Sequence, residues 1–182
     1  MQDVIFDDLL KEHMSERGYK FWLVLKEKID PVWDRLASSS MKYHKKKDGR
    51  NPTIEEHTHE MLFAATKLLS MFNFKKKSQE SDILLLSIVL HDARKYGKEP
   101  CVNNHTVKNH GKLMADSISM NRNHFLKIFD SENISTLEEA VRFHDGKWAV
   151  DANSKFDIES VKSTTFFVHI LDMLSSRDLI KV

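Results

Sequence analysis

Cysteine, proline and glycine are all scarce in this 182-residue chain, with one, three and five residues respectively. The single cysteine, Cys101, excludes an internal disulfide framework and makes a reducing cytoplasm the expected setting. Five glycines and three prolines are too few for the regularly spaced turns of an all-β chain. An excess of one charge is lacking too: 28 Lys and Arg stand against 27 Asp and Glu, a formal net charge of +1. That balance gives no support to stable nucleic-acid binding or to a membrane-surface role. The longest apolar run, near 83–90, is too short to span a bilayer. The opening MQDVIFDDLLKEH is acidic and lacks the apolar stretch of a secretory signal.

What is present is helical periodicity. Apolar residues recur at helical spacing, and the expected class is an all-α, single-domain helical bundle over 1–182. Helices are expected over 3–13 and 16–38, the second kinked or divided at Pro31. The polar stretch 38–52 reads as a loop. Thr53-Ile54-Glu55-Glu56 has the T-x-x-E pattern of a capping box and should start a helix running to about Phe72. The tract 75–81 reads as a solvated turn. Residues 82–92 read as a short helix apolar on nearly all sides, hence central. Further helices are expected over 107–119, 122–129, 136–144 and about 158–178, with a second capping box at Ser135-Thr136-Leu137-Glu138.

Ten histidines is a high count, and nine of them fall between residues 44 and 169. The central helix ends in His91-Asp92, an ionisable pair that is costly to bury unless it is paired or holds a cation. A divalent ion needs several N or O ligands converging from different elements. The helix after Thr53 offers His57 and His59, which point about 200° apart, so only one can face inward. His57 shares its stripe with Met61, Ala64, Leu68 and Phe72, and is the preferred ligand; the His59 stripe is more polar. Asp172, inside the apolar run FFVHILDML, calls for a cation or strong hydrogen bonds. His144-Asp145 repeats the dipeptide after an amphipathic helix, where His144 either caps the helix dipole or lines a pocket.

Taken in order, His57, His91-Asp92 and Asp172 resemble the H…HD…D signature of the HD-domain metal-dependent phosphohydrolases. Tyr43 and the KYH stretch, the loop with Gly49 and the EEHTHEM segment are similar to the lead-in to the first metal histidine of many members. LHDARK resembles their LHD-x-x-K, ILDMLSSR the helix with their last aspartate, and FHDGKW the H-x-G-x-W element of small phage-type members. The likeness covers 42–178, leaving 1–41 as N-terminal helices; a glycine pair that often precedes the first histidine is replaced by Pro52-Thr53-Ile54.

The resemblance implies an all-helical fold, a divalent ion (Mn, Mg, Co, Zn or Fe) on His57, His91, Asp92 and Asp172, and hydrolysis of a phosphate ester or anhydride in a small-molecule nucleotide. A (deoxy)nucleoside triphosphate and a 5′-monophosphate both fit. Asp92 would also orient the attacking water. Lys95 would bind phosphate, or be a solvated lysine in a polar turn. His110, in HGKLMADS, and His144 would contact phosphate, protonate the leaving oxygen, or hold a second ion as in relatives with two metals. Arg177 would reach an anion or complement its helix end, Tyr43, Trp148 and Trp33 would stack on a base or fill the core, and Arg94 belongs at the surface. The basic run 44–50 would be a solvated loop or would steer polyphosphates. Rival readings are a cyclic-dinucleotide or dinucleoside-polyphosphate phosphodiesterase, a di-iron oxygenase and a non-catalytic nucleotide sensor. A homo-oligomer is left open.

Overall fold

A computed structural model describes residues 4–29, 32–38, 46–72, 74–98, 103–149 and 160–180. Eight α-helices run through them: α1 Asp7–His13, α2 Glu16–Lys26, α3 Ile54–Leu68, α4 Gln79–Leu90, α5 His110–Met120, α6 Arg122–Phe125, α7 Ser131–Phe143 and α8 Ser163–Ser176. Among the described residues there is no β-strand, only an isolated bridge between Leu36 and Thr53. The all-α expectation holds.

The bundle is organised around α4. Every residue from Ser81 to Leu90 is buried, which accounts for its nearly continuous apolar sequence. Helices α3, α7 and α8 pack around it, and α5 packs on α7. Buried side chains from Val4 to Ile180 form one contiguous cluster, so α1 and α2 share the core of the later helices. Fully burying each Leu or Ile of α4 contributes about 1.5–3 kcal/mol. Trp33 belongs to this core, edge-on to Phe6 at 5.5 Å and to Trp22 at 6.3 Å, which excludes it as a base-stacking group.

Helix α3 starts at the expected capping box, with Thr53 Oγ1 accepting from the Glu56 amide and Glu56 accepting from the Thr53 amide. The carbonyls of Arg35 and Trp33 accept from the next two amides, Ile54 and Glu55. This corrects the helix expected over 16–38: α2 ends at Lys26, and the chain near Trp33 instead caps α3. The kink expected at Pro31 lies outside the described residues. The expected second capping box is also corrected. Asp130 caps α7 one turn earlier by accepting from the Asn133 amide, and Ser135 lies within the helix, donating to the Ser131 carbonyl. Ser78, read as part of a solvated turn, forms a capping box with Ser81 and starts α4.

Gly18 marks a close approach between α2 and α4. A Cβ there would stand 2.3 Å from Asp82 Oδ2, and that carboxylate is held by Ser15 N at 2.8 Å and Ser15 Oγ at 2.5 Å. Asp82 thus ties the start of α2 to the start of the central helix.

Candidate metal centre

Five helices deliver ionisable side chains to one end of the bundle. His57 comes from α3, His91 caps α4 and Asp92 follows it, His110 opens α5, His144 caps α7, and Asp172 lies in α8. His57, His91, Asp92, His110 and His144 are all buried. His59, two positions on, is only half-buried, so the two-residue offset resolves in favour of His57.

The inward-facing atoms form linked groups. His57 Nε2 lies 3.0 Å from Asp172 Oδ1 and 3.3 Å from His91 Nε2, which is 3.4 Å from Asp92 Oδ2. On the other side of Asp92, Oδ1 is 3.1 Å from His110 Nε2 and 3.7 Å from His144 Nε2, and these two nitrogens are 3.0 Å apart. Asp145 closes this second group, with Oδ2 3.6 Å from His110 Nε2 and Oδ1 3.7 Å from His144 Nε2. Asp92 is shared, one oxygen to each group. Neighbouring ligands of an octahedral ion at about 2.1 Å stand about 3.0 Å apart, close to the separations found here.

The tautomers fit the same reading. His91, His110 and His144 each place Nδ1 on a backbone carbonyl three residues earlier, those of Ile88, Val107 and Val141, at 2.6, 2.8 and 2.8 Å. His57 Nδ1 lies 2.9 Å from Ser175 Oγ, whose hydroxyl is committed to Glu60 Oε2 at 2.7 Å, so this ring is also a donor at Nδ1. A neutral imidazole has one hydrogen. With that hydrogen at Nδ1, all four Nε2 atoms turn lone pairs towards one another and towards carboxylates, an arrangement that only a proton or a cation between them stabilises. Asp92 Oδ1 is buried and accepts no hydrogen bond from the described residues. These residues have the donor types, the convergence and the outer hydrogen bonds of a metal site.

The electrostatics favour a cation as well. Burial works to raise the Asp92 pKa, but the Lys95 ammonium and His91 outweigh it and hold the carboxyl well below its ordinary range. Asp172 is likewise held far down against its burial, chiefly by His57. Burial lowers His57 and His144, whereas Asp92 outweighs burial and raises His91 and His110. Asp92, Asp145 and Asp172 bring three carboxylates to this end of the bundle beside the Lys95 ammonium, and protons on His91 and His110 or a metal cation offset their charge.

Lys95 is buried, with Nζ 2.5 Å from Asp92 Oδ2, and is not the solvated lysine of the alternative reading. Arg94 is a correction: it is 7% exposed and not at the surface, because the turn after α4 faces α2 and α5. Arg177 caps α8 from an exposed position and is not drawn into the buried cluster. Trp148 is 60% exposed in a 3-10 turn three residues past Asp145, with Lys147 Nζ 4.8 Å from its ring centroid. Tyr43 and the KYH stretch lie outside the described residues.

Three participants escaped the sequence reading as members of the site. Asp145 was visible only as the second half of a repeated His-Asp pair. Glu60 and Ser175 form an outer link to His57, with Lys46 paired to Glu60 and 3.5 Å from Asp178. Glu60 lies one helical turn from His57, and that spacing was the available signal. Gly146, at φ +61°, lets the 3-10 turn pass over His169, whose Nδ1 is 2.6 Å from the His144 carbonyl; a Cβ at 146 would stand 2.6 Å from that ring.

Comparison with models of known families, with curated proteins and with solved structures finds no match to this chain.

Proposed function

We propose that the chain is a metal-dependent phosphohydrolase of the HD-domain type that acts on a nucleotide, cleaving a (deoxy)nucleoside triphosphate or a 5′-monophosphate. The observation that carries this reading is the meeting of His57, His91 and Asp92 with lone pairs directed inward, joined by Asp172 through His57, in the chain order that resembles the family. The group of Asp92, His110 and His144, with Asp145 beside both histidines, supports a second ion, with Asp92 shared. Divalent ions held there would supply water of lowered pKa and would offset charge developing on phosphorus.

The chain's own groups divide the remaining work. Asp92 and Asp145 carry carboxylates able to orient the attacking water, and Asp145, the less buried of the two, can accept its proton. Lys95, one turn beyond Asp92, presents an ammonium to nonbridging phosphoryl oxygens. His110 and His144 act as ligands, because their Nε2 atoms face Asp92 and their Nδ1 hydrogens are committed to backbone. Trp148, exposed beside Lys147, offers a flat face for a base and a cation for a phosphate. The water oxygen bonds phosphorus, the bond from phosphorus to the leaving oxygen breaks with its electron pair passing to that oxygen, and the proton of the water reaches the leaving oxygen by way of a carboxylate.

The test is a panel of nucleoside mono-, di- and triphosphates assayed with Mn²⁺, Mg²⁺, Co²⁺ and Zn²⁺. Release of phosphate, pyrophosphate or inorganic triphosphate that disappears in Asp92→Asn is the expected result, and no turnover of any nucleotide contradicts the reading. The paired groups around Asp92 also favour a second reading, a di-iron oxygenase. That enzyme would consume O₂ when loaded with iron, which the phosphohydrolase would not.

A further inference from the structure

A cleft of about 690 Å³ lies between α2 and the α5–α6 segment, apart from the His/Asp centre. Its size is that of a small-molecule site. Two apolar stripes face each other across it: Phe21, Leu25 and Ile29 from α2 and its end, and Met114 and Ile118 from α5, with Phe125 of α6 beside them. On α5 this stripe continues, at steps of four, the face that begins with His110. At the mouth Val24 is left 54% exposed.

The rim has the opposite character. Arg17, Lys20, Lys28 and Lys127 surround the opening and Arg94 contributes to the wall. Glu16 is the sole carboxylate among the lining residues, and Lys20 already engages it at 2.6 Å. This gathering of cations stands out in a chain whose net charge is only +1. The Arg17 guanidinium crosses from α2 to donate to the Lys127 carbonyl, which straps the two walls together. A strapped cleft admits a small molecule more readily than a helix or a second protein surface.

We propose that this cleft binds a small amphiphilic anion, an alkyl or aryl body carrying one carboxylate-like head group. The apolar stripes take the body and the lysine-arginine rim takes the head, which burial against an apolar floor strengthens relative to open water. The proposal rests on the cleft alone and is independent of the phosphohydrolase reading.

The experiment is calorimetric titration of the full chain with sodium decanoate and, separately, with decanol, both below the concentration at which they aggregate. One saturable decanoate site is expected, with decanol about tenfold weaker or worse. Val24→Asp at the exposed mouth and the charge reversal Lys28→Glu/Lys127→Glu should each weaken decanoate by about tenfold or more, with melting temperatures unchanged. Absence of saturable binding, equal binding of decanol, or insensitivity to both sets of substitutions would overturn the proposal.

Discussion

The Nε2 atoms of His57 and His91 face each other at 3.3 Å, while each ring directs Nδ1 to a partner behind it, Ser175 Oγ and the Ile88 carbonyl. Two neutral imidazoles arranged in this way repel at Nε2. Apolar packing alone would not select the arrangement, and a proton or a metal cation between the rings reverses its sign. The shared carboxylate of Asp92 and the histidine pair beyond it extend the same logic to a second group.

The outer link behind His57 should matter in proportion to its role in fixing the ring. Ser175→Ala removes the acceptor of His57 Nδ1 and the donor to Glu60. Metal affinity is expected to fall about 10- to 100-fold, with far-ultraviolet circular dichroism unchanged. Ser175→Thr, which keeps the hydroxyl, should retain most of the affinity in a competition titration with a chelating dye.

Lys95 and a bound ion compete for the same role beside Asp92. In the metal-free chain the ammonium is the cationic partner of a fully buried carboxylate. Removing one partner of such a pair costs about 3–5 kcal/mol. Lys95→Ala should therefore lower the melting temperature of the chelator-treated chain strongly and that of the metal-loaded chain much less. Equal losses in calorimetry of the two forms would argue against cation replacement.

Gly111 governs the second group through packing. A Cβ at 111 would stand 2.8 Å from the Val141 carbonyl and 3.1 Å from the His144 ring, and a backbone oxygen cannot swing aside. Gly111→Ala should push α5 from α7, separate His110 from His144 and cost about 1–3 kcal/mol. For a chain of this size that is a drop of about 2–12 °C in melting temperature. The stoichiometry of bound metal is expected to fall while His57 and His91 keep their ion.

Asp82 supplies a pH dependence remote from the metal centre. Its burial raises its pKa above the ordinary 3.8, with the Ser15 hydrogen bonds opposing only in part. A carboxyl with a raised folded-state pKa binds its proton more tightly folded than unfolded, so stability drains away as pH rises from the ordinary value through the folded one. Asp82→Asn has no such titration. Relative to the parent chain, its unfolding free energy should therefore improve as pH climbs through the range just above 3.8, as urea melts at several pH values would show.

Much of this architecture was legible from residue types in series. The continuous apolar run ending in His91-Asp92 marked a buried central helix with a costly terminus, and Asp172 stood out because an apolar run surrounded it. Stripe spacing on α3 separated His57 from His59. The missing parts depend on contacts that no local pattern carries. Asp145 becomes a member of the site only because the turn after α7 meets α5 and α8, and Ser175 meets Glu60 across 115 positions of sequence. The end of α2 was misplaced because the chain near Trp33 gives its carbonyls to α3 instead of continuing a helix. Arg94 was assigned to the surface because a charged turn reads as solvated until another helix covers it.

The most direct measurement is the metal content of the purified full chain after dialysis against Mn²⁺ or Fe²⁺, compared with that of Asp92→Asn under identical treatment. One to two tightly held ions per chain in the parent, and loss of binding at both groups in the variant, is the result this account expects. A parent chain that retains no ion, or an Asp92→Asn chain that binds as the parent does, would contradict it.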